Sequence, residues 1–201
     1  AVLVPQTQTD FWHLVPRQTP FTRETLLRIP QISRSSGTEV HDGFIKGGKD
    51  LTIPPRQIVK ILLDQTWLIS AYPQLHFSKG KGAKIKMTYN EALFDKAGNK
   101  GHRDEIEGKE LLGIYDVIYP DGSDDCSYRP LWYRAYRYVQ LEIETKDEAL
   151  ILHDFYNAET GYPFQENAAF MSDDKALQKI WDACWRTAKA CAHETYMDCP
   201  Y

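Results

Sequence analysis

The chain has 201 residues, 42% of them hydrophobic and 26% charged, enough apolar material for a folded core and too much for a disordered segment. Lys and Arg number 24 against 28 Asp and Glu, a formal charge of −4, so the basic face of a nucleic-acid protein is not expected. No apolar run is long enough to cross a membrane as a helix, so no membrane partner is expected either.

Aromatic residues make up 12% of the chain. Core packing accounts for them better than stacking on sugar rings, because buried aromatics dominate most cores. The chain opens at Ala1 with no signal peptide, which leaves its compartment open, with a periplasmic or secreted protein favoured over a cytoplasmic one. The cysteines do not suggest a disulfide framework. Cys184 and Cys191 fall two turns apart on one predicted helix, about 10 Å along its axis and out of bonding reach. No Cys-x-x-Cys pair exists to hold zinc, so free, mostly buried thiols are expected.

In chain order, residues 1–50 carry Pro5, Pro16, Pro20 and Pro30 and the polar break 33–37. They read as an extended linker from an upstream domain, since closely spaced prolines exclude a helix. Residues 51–171 read as an antiparallel β-sandwich. Residues 58–69 are rich in β-branched and aliphatic side chains and predict a strand. In 84–90, Ile85, Met87 and Tyr89 alternate onto one face. Gly-rich turns at 80–82 and 95–101 and the Pro120-Asp121-Gly122-Ser123 turn separate strands at 111–118, 132–144 and 150–156. At Ser172 the period changes. Ser172-Asp173-Asp174 supplies an N-cap and first-turn acids, and Leu177, Ile180, Trp181, Cys184, Trp185 and Ala188 then recur at helical spacing. Residues 172–201 thus read as a helix of about five turns, with one broad apolar face, followed by a loop. The sandwich can cover only part of that face.

Several motifs have plain readings. His193-Glu194 opens a metalloprotease pattern that fails at Met197, where a second imidazole would be needed, so no metal site is predicted. Residues 121–125 hold oxygens that could bind calcium, but a solvated turn is favoured over it. Lys79, Lys81, Lys84 and Lys86 form a solvated face. Trp132, Tyr133, Tyr136 and Tyr138 could make a sugar platform, and filling the sandwich or its contact with the next domain is favoured. Glu194 and Asp198 are four apart and share a face if the helix runs on; their apolar company, Tyr196, Met197, Cys199 and Pro200, suggests a cleft as much as a solvated helix end.

The segments Ile53-Pro54-Pro55, Ile61-Leu62-Leu63-Asp64-Gln65-Thr66, Tyr89-Asn90-Glu91-Ala92-Leu93, Arg103-Asp104-Glu105, Pro130-Leu131-Trp132-Tyr133-Arg134 and the closing 194–201, with Asp198-Cys199-Pro200 the sharpest, together resemble the bacterial α-L-rhamnosidases, a family of inverting glycoside hydrolases. The resemblance implies a β-sandwich followed by the first helix and active-site loop of an α/α barrel, here truncated. It implies that Asp198 binds the rhamnose. It places the general acid a few positions after Tyr201 and the base far downstream, so no catalytic residue is expected within this chain and the chain alone is expected to be inactive. It gives Glu194 no role. The implied reaction is inverting removal of terminal α-L-rhamnose, with one carboxylic acid protonating the leaving oxygen and an opposed carboxylate activating water. No metal or cofactor is required for it. The expected partners are a rhamnose-containing glycan or glycoside, the remaining domains of the same polypeptide, and a second copy in a homodimer. The competing reading is a non-catalytic carbohydrate-binding or scaffold sandwich.

Overall fold

A computed structural model describes residues 16–197. In chain order it contains β1 (Arg23–Leu27), β2 (Gln31–Ser36), the short helix α1 (Asp42–Ile45), β3 (Leu51–Ile53), β4 (Ile58–Lys79), β5 (Lys84–Asn90), β6 (Ile114–Ile118), β7 (Cys126–Tyr128), β8 (Arg134–Glu144), β9 (Leu150–Gly161) and α2 (Lys175–Cys191). The protein is mainly β. Its nine strands form one antiparallel sheet among the described residues, with the central path β1-β9-β4-β8-β5-β6.

The organising element is β4, 22 residues long. Its first half pairs with β2 on one side and β8 on the other. Its second half pairs with β9 and β7. Between them the register jumps: Asp64 faces Tyr138 while Ile69 faces Tyr136, so residues 65–68 bulge out. Asp64 Oδ1 accepts the Thr66 N–H at 2.6 Å, and Thr66 takes φ of 70° to allow it. The bulge bends the sheet, and both halves of β4 face one core. Val59, Ile61 and Leu63 enter that core from the first half, and Leu75 and Phe77 from the second. Ile85, Met87 and Tyr89 of β5 meet them on the face that alternation predicts. Burying each such side chain contributes roughly 1.5–3 kcal/mol.

Two bulges hide this pattern in the sequence. On β8, Tyr136 and Val139 both enter the main core although they lie three apart, because the bulge in β4 shifts the phase. On β9, Leu152 and Phe155 share that core because His153 is an extra residue opposite the step from His76 to Phe77. A second small cluster of Leu62, Leu93, Leu111 and Tyr138 lies beneath the connection 91–113. It ties that connection to the sheet. A Cβ on Gly113 would stand 2.1 Å from the Tyr89 carbonyl oxygen, so glycine is needed at this close approach; β6 pairs with β5 from Ile114, and Leu111 turns into the small cluster.

From residue 16 onward, the proline-rich segment is not an extended linker. It supplies β1, paired with β9, and β2, paired with β4, and α1 places Phe44 and Ile45 in the core, both fully buried. Pro20 and Pro30 lie before and between the strands, where the missing N–H costs nothing in pairing. Strand β4 also runs ten residues past Ile69, through Pro73, which sits opposite Asn157. Proline is unusual inside a sheet, and the expected strand is therefore shorter than the real one.

Asp174, not Ser172, caps α2, accepting the Ala176 N–H at 2.8 Å, while Ser172 Oγ accepts the Asp174 N–H at 3.1 Å. No residue of α2 is buried. Residues 162–171 run beside it: Phe164 packs on Trp185 and Phe170 on Trp181, each with ring centres 5.2 Å apart. Leu177, Ile180 and Trp181 remain 46%, 57% and 40% exposed, so the apolar face is largely open. Cys184 is exposed and Cys126 and Cys191 are half-buried, which corrects the expectation of mostly buried thiols.

Candidate functional site

The end of α2 is the part fastened to the sheet. Ser70 Oγ in β4 donates to the Ala190 carbonyl at 3.1 Å, and the Tyr162 N–H donates to the Ala192 carbonyl at 2.7 Å. Beyond Cys191 the chain folds back. Ala192 bridges Tyr196, the His193 N–H donates to Thr195 O at 3.1 Å, and the Met197 N–H donates to Cys191 O at 2.8 Å. This turn brings His193 flat against Tyr133, with ring centres 4.1 Å apart and planes 14° apart. The Tyr133 hydroxyl reaches Met197 Sδ at 3.0 Å. Tyr133 also stacks on Trp132 at 5.4 Å and meets Tyr72 edge-on at 6.4 Å.

His193 is 6% exposed, and its Nδ1 is buried without a hydrogen-bond partner. Burial lowers its pKa, an effect partly opposed by the nearby Ala190 carbonyl, which already accepts from Ser70. Burial likewise raises the Tyr133 phenol.

A cavity of about 860 Å³ opens between this turn and the start of the 91–113 connection. Tyr133, His193, Tyr196 and Met197 form one side, and Asn90, Glu91, Phe94 and Lys100 another. Lys100 Nζ donates to Glu91 Oε1 at 2.6 Å, and an Arg103 guanidinium nitrogen lies 3.6 Å from Oε2. The Lys100 bond is the main cause holding the Glu91 carboxyl below its ordinary range.

The rim is anchored from below. Asp64, 3% exposed at its side chain, takes Arg137 in two bonds of 2.8 and 2.9 Å and Gln31 at 3.1 Å. Arg137 reaches on to Asp104, and the Tyr138 hydroxyl donates to the Arg103 carbonyl at 2.8 Å. Phe94 and Glu110 exchange both backbone bonds, at 2.8 and 2.9 Å. The loop carrying Glu91 and Lys100 is thereby held in place.

Asp198, the residue expected to bind sugar, lies outside the described residues, as do Cys199 and Pro200. Met197 is the last described residue, and it lines the cavity. Glu194 is paired with Arg17 and stays exposed, lining a smaller depression of about 280 Å³ with Tyr162 and Phe164. The four aromatics of 132–138 separate. Tyr136 and Tyr138 are fully buried in the sheet, Tyr133 meets the α2 exit, and Trp132 is 62% exposed. Asp121 accepts the Ser123 N–H at 2.9 Å and Asp124 pairs with Lys79, the arrangement of an ordinary turn. Among the described residues no three His, Cys, Asp or Glu side chains gather to hold a metal ion.

Sequence reasoning missed His193, except as half of a failed zinc motif, and it missed Lys100. Glu91 figured only inside a longer resembling segment. The signal that could have found them is the β5–β8 register, which sets Asn90 opposite Tyr138 and so carries the start of the connection to the bulge.

No protein-family profile matches the chain. No curated protein matches it either. Solved structures do. A rhamnosidase from Klebsiella oxytoca with rhamnose bound aligns with TM-score 0.65 and 12% identity, over 89% of this chain and 37% of that one. A GH78 family rhamnosidase of Bacillus sp. GL1 aligns with TM-score 0.59 and 20% identity, over 75% of this chain and 15% of that one. The chain therefore spans well under half the length of either protein. At these identities the likeness concerns the fold alone, and the chain has a rhamnosidase-like fold.

Proposed function

We propose that the chain is the sandwich portion, and the entry into the catalytic barrel, of a glycoside hydrolase that removes terminal α-L-rhamnose with inversion. The observation that carries this reading is the α2 exit: it is fastened to the sheet by Ser70 and Tyr133, and it delivers Met197 to the wall of the cavity of about 860 Å³, immediately before Asp198-Cys199-Pro200. The rhamnosidase-like fold over nine-tenths of the chain supports it. In this reading residues 172–201 open the barrel domain, and further helices of the same polypeptide cover Leu177, Ile180 and Trp181. Asp198 accepts hydrogen bonds from ring hydroxyls. The acid and the base follow Tyr201, set far enough apart to admit the attacking water, roughly 6.5–9.5 Å.

The test uses an aryl α-L-rhamnoside and the polypeptide extended beyond Tyr201. Turnover by the extended protein and none by the present chain is the expected result. Asp198→Asn should lower kcat/KM about tenfold to a hundredfold, since a hydrogen bond to a charged group is worth about 1.5–3 kcal/mol, with little change in melting temperature. Binding of rhamnosides without turnover by the extended protein would favour the carbohydrate-binding reading. Asp198→Asn activity within twofold of the parent would remove Asp198 from the site.

A further inference from the structure

The cavity beside the α2 exit has contents that the rhamnose-binding role of Asp198 does not use. We infer that it is a saccharide subsite of its own, with Glu91 and Lys100 as its polar anchor and Tyr196 as its apolar wall. The inference deepens the carbohydrate reading above and rests on it for the class of ligand.

Four observations support it. The volume, about 860 Å³, suits a ligand of one or two sugar rings. Its charged lining is one carboxylate and one ammonium joined at 2.6 Å, with no excess charge to select an ionic ligand. That pair matches a diol: a carboxylate only accepts and an ammonium only donates, so adjacent hydroxyls can give to Glu91 and receive from Lys100. The Glu91 side chain is 29% exposed, so it can be reached despite its ion pairs. Tyr196, 72% exposed, offers an aromatic surface to the C–H face of a ring. A phosphorylated ligand would need a cation free of carboxylate, and Lys100 is already engaged. A wholly apolar ligand would strand the Glu91–Lys100 pair away from water.

The test is calorimetric or NMR titration of the chain itself with methyl α-L-rhamnoside and with a rhamnosyl-glucose disaccharide. The disaccharide should bind more tightly than the monosaccharide. Glu91→Gln and Tyr196→Ala should each weaken it about tenfold or more, with Tyr119→Ala, exposed and outside the cavity, as the unchanged control. Melting curves establish that each variant is folded, and Lys100→Met replaces Glu91→Gln if the latter unfolds. No binding of either sugar at solubility-limited concentration would overturn the subsite, as would binding that ignores all the cavity variants. Saccharide binding at Glu91 together with an extended polypeptide that hydrolyses no rhamnoside would uphold the subsite and defeat the hydrolase reading, so the two fail separately.

Discussion

Asp64 is the most exacting test of how the site is held. Its carboxylate accepts two bonds from Arg137, one from Gln31 Nε2 and one from the Thr66 N–H, and its side chain is 3% exposed. Asp64→Ala leaves the Arg137 guanidinium, 14% exposed, with only the surface carboxylate of Asp104. Breaking a buried pair from one side costs about 3–5 kcal/mol, because the surviving charge stays buried. For a chain of this length each kcal/mol moves the midpoint by about 2–4 °C, so the melting temperature should fall by roughly 6–20 °C. The double variant Asp64→Ala, Arg137→Met removes both charges, and it should be clearly more stable than the sum of the single changes predicts. Urea unfolding of the four proteins, followed by tryptophan fluorescence, measures the cycle. A loss below about 1 kcal/mol for Asp64→Ala, or additivity within about 0.5 kcal/mol, would refute the reasoning.

Two further outcomes are expected. His193 is held neutral by burial, so its folded pKa lies below the ordinary value near 6.5. As pH falls below about 6.5 the unfolded chain takes up this proton before the folded one, and the contribution of His193 to stability declines until pH reaches the folded pKa. His193→Phe, which keeps the stack on Tyr133, should flatten that part of the stability–pH curve; an unchanged slope would show that other groups set it. Removing residues 173–201 should leave a cooperatively folding sheet, since no residue of α2 is buried and, among the described residues beyond it, only Ala192 and His193 are. Loss of the unfolding transition would place the helix in the folding core.

The sequence made some elements plain and hid others for identifiable reasons. Strand β5 was legible because Ile85, Met87 and Tyr89 alternate without interruption. The helical spacing of Leu177, Ile180 and Trp181 made α2 equally plain. Strands β1 and β2 were hidden because Pro20 and Pro30, which lie in the connections, look like breaks in structure. The second half of β4 was hidden by Pro73; β8 and β9 were legible as strands, but the bulges hid which of their residues turn inward, and β9 runs on to Gly161. The site was legible only at its α2 end. Glu91, Tyr133 and His193 lie far apart in sequence, and only the pairing of β5 with β8 and the fold-back after Cys191 bring them to one cavity.

Strand β4 has a consequence for how the protein is made. Its partners β8 and β9 begin at Arg134 and end at Gly161, up to 82 residues after Lys79. At about 5–20 residues per second the ribosome needs roughly 4–16 s to deliver them. For that interval Val59, Ile61, Leu63, Leu75 and Phe77 belong to a strand with only β2 and, once made, the three-residue β7 at hand to pair with. The nascent chain then presents a long apolar strand edge of the kind that chaperones bind and that other chains join. Slowing synthesis between residues 80 and 134 should therefore lower the soluble yield more than slowing it after residue 161, even though the finished protein is the same.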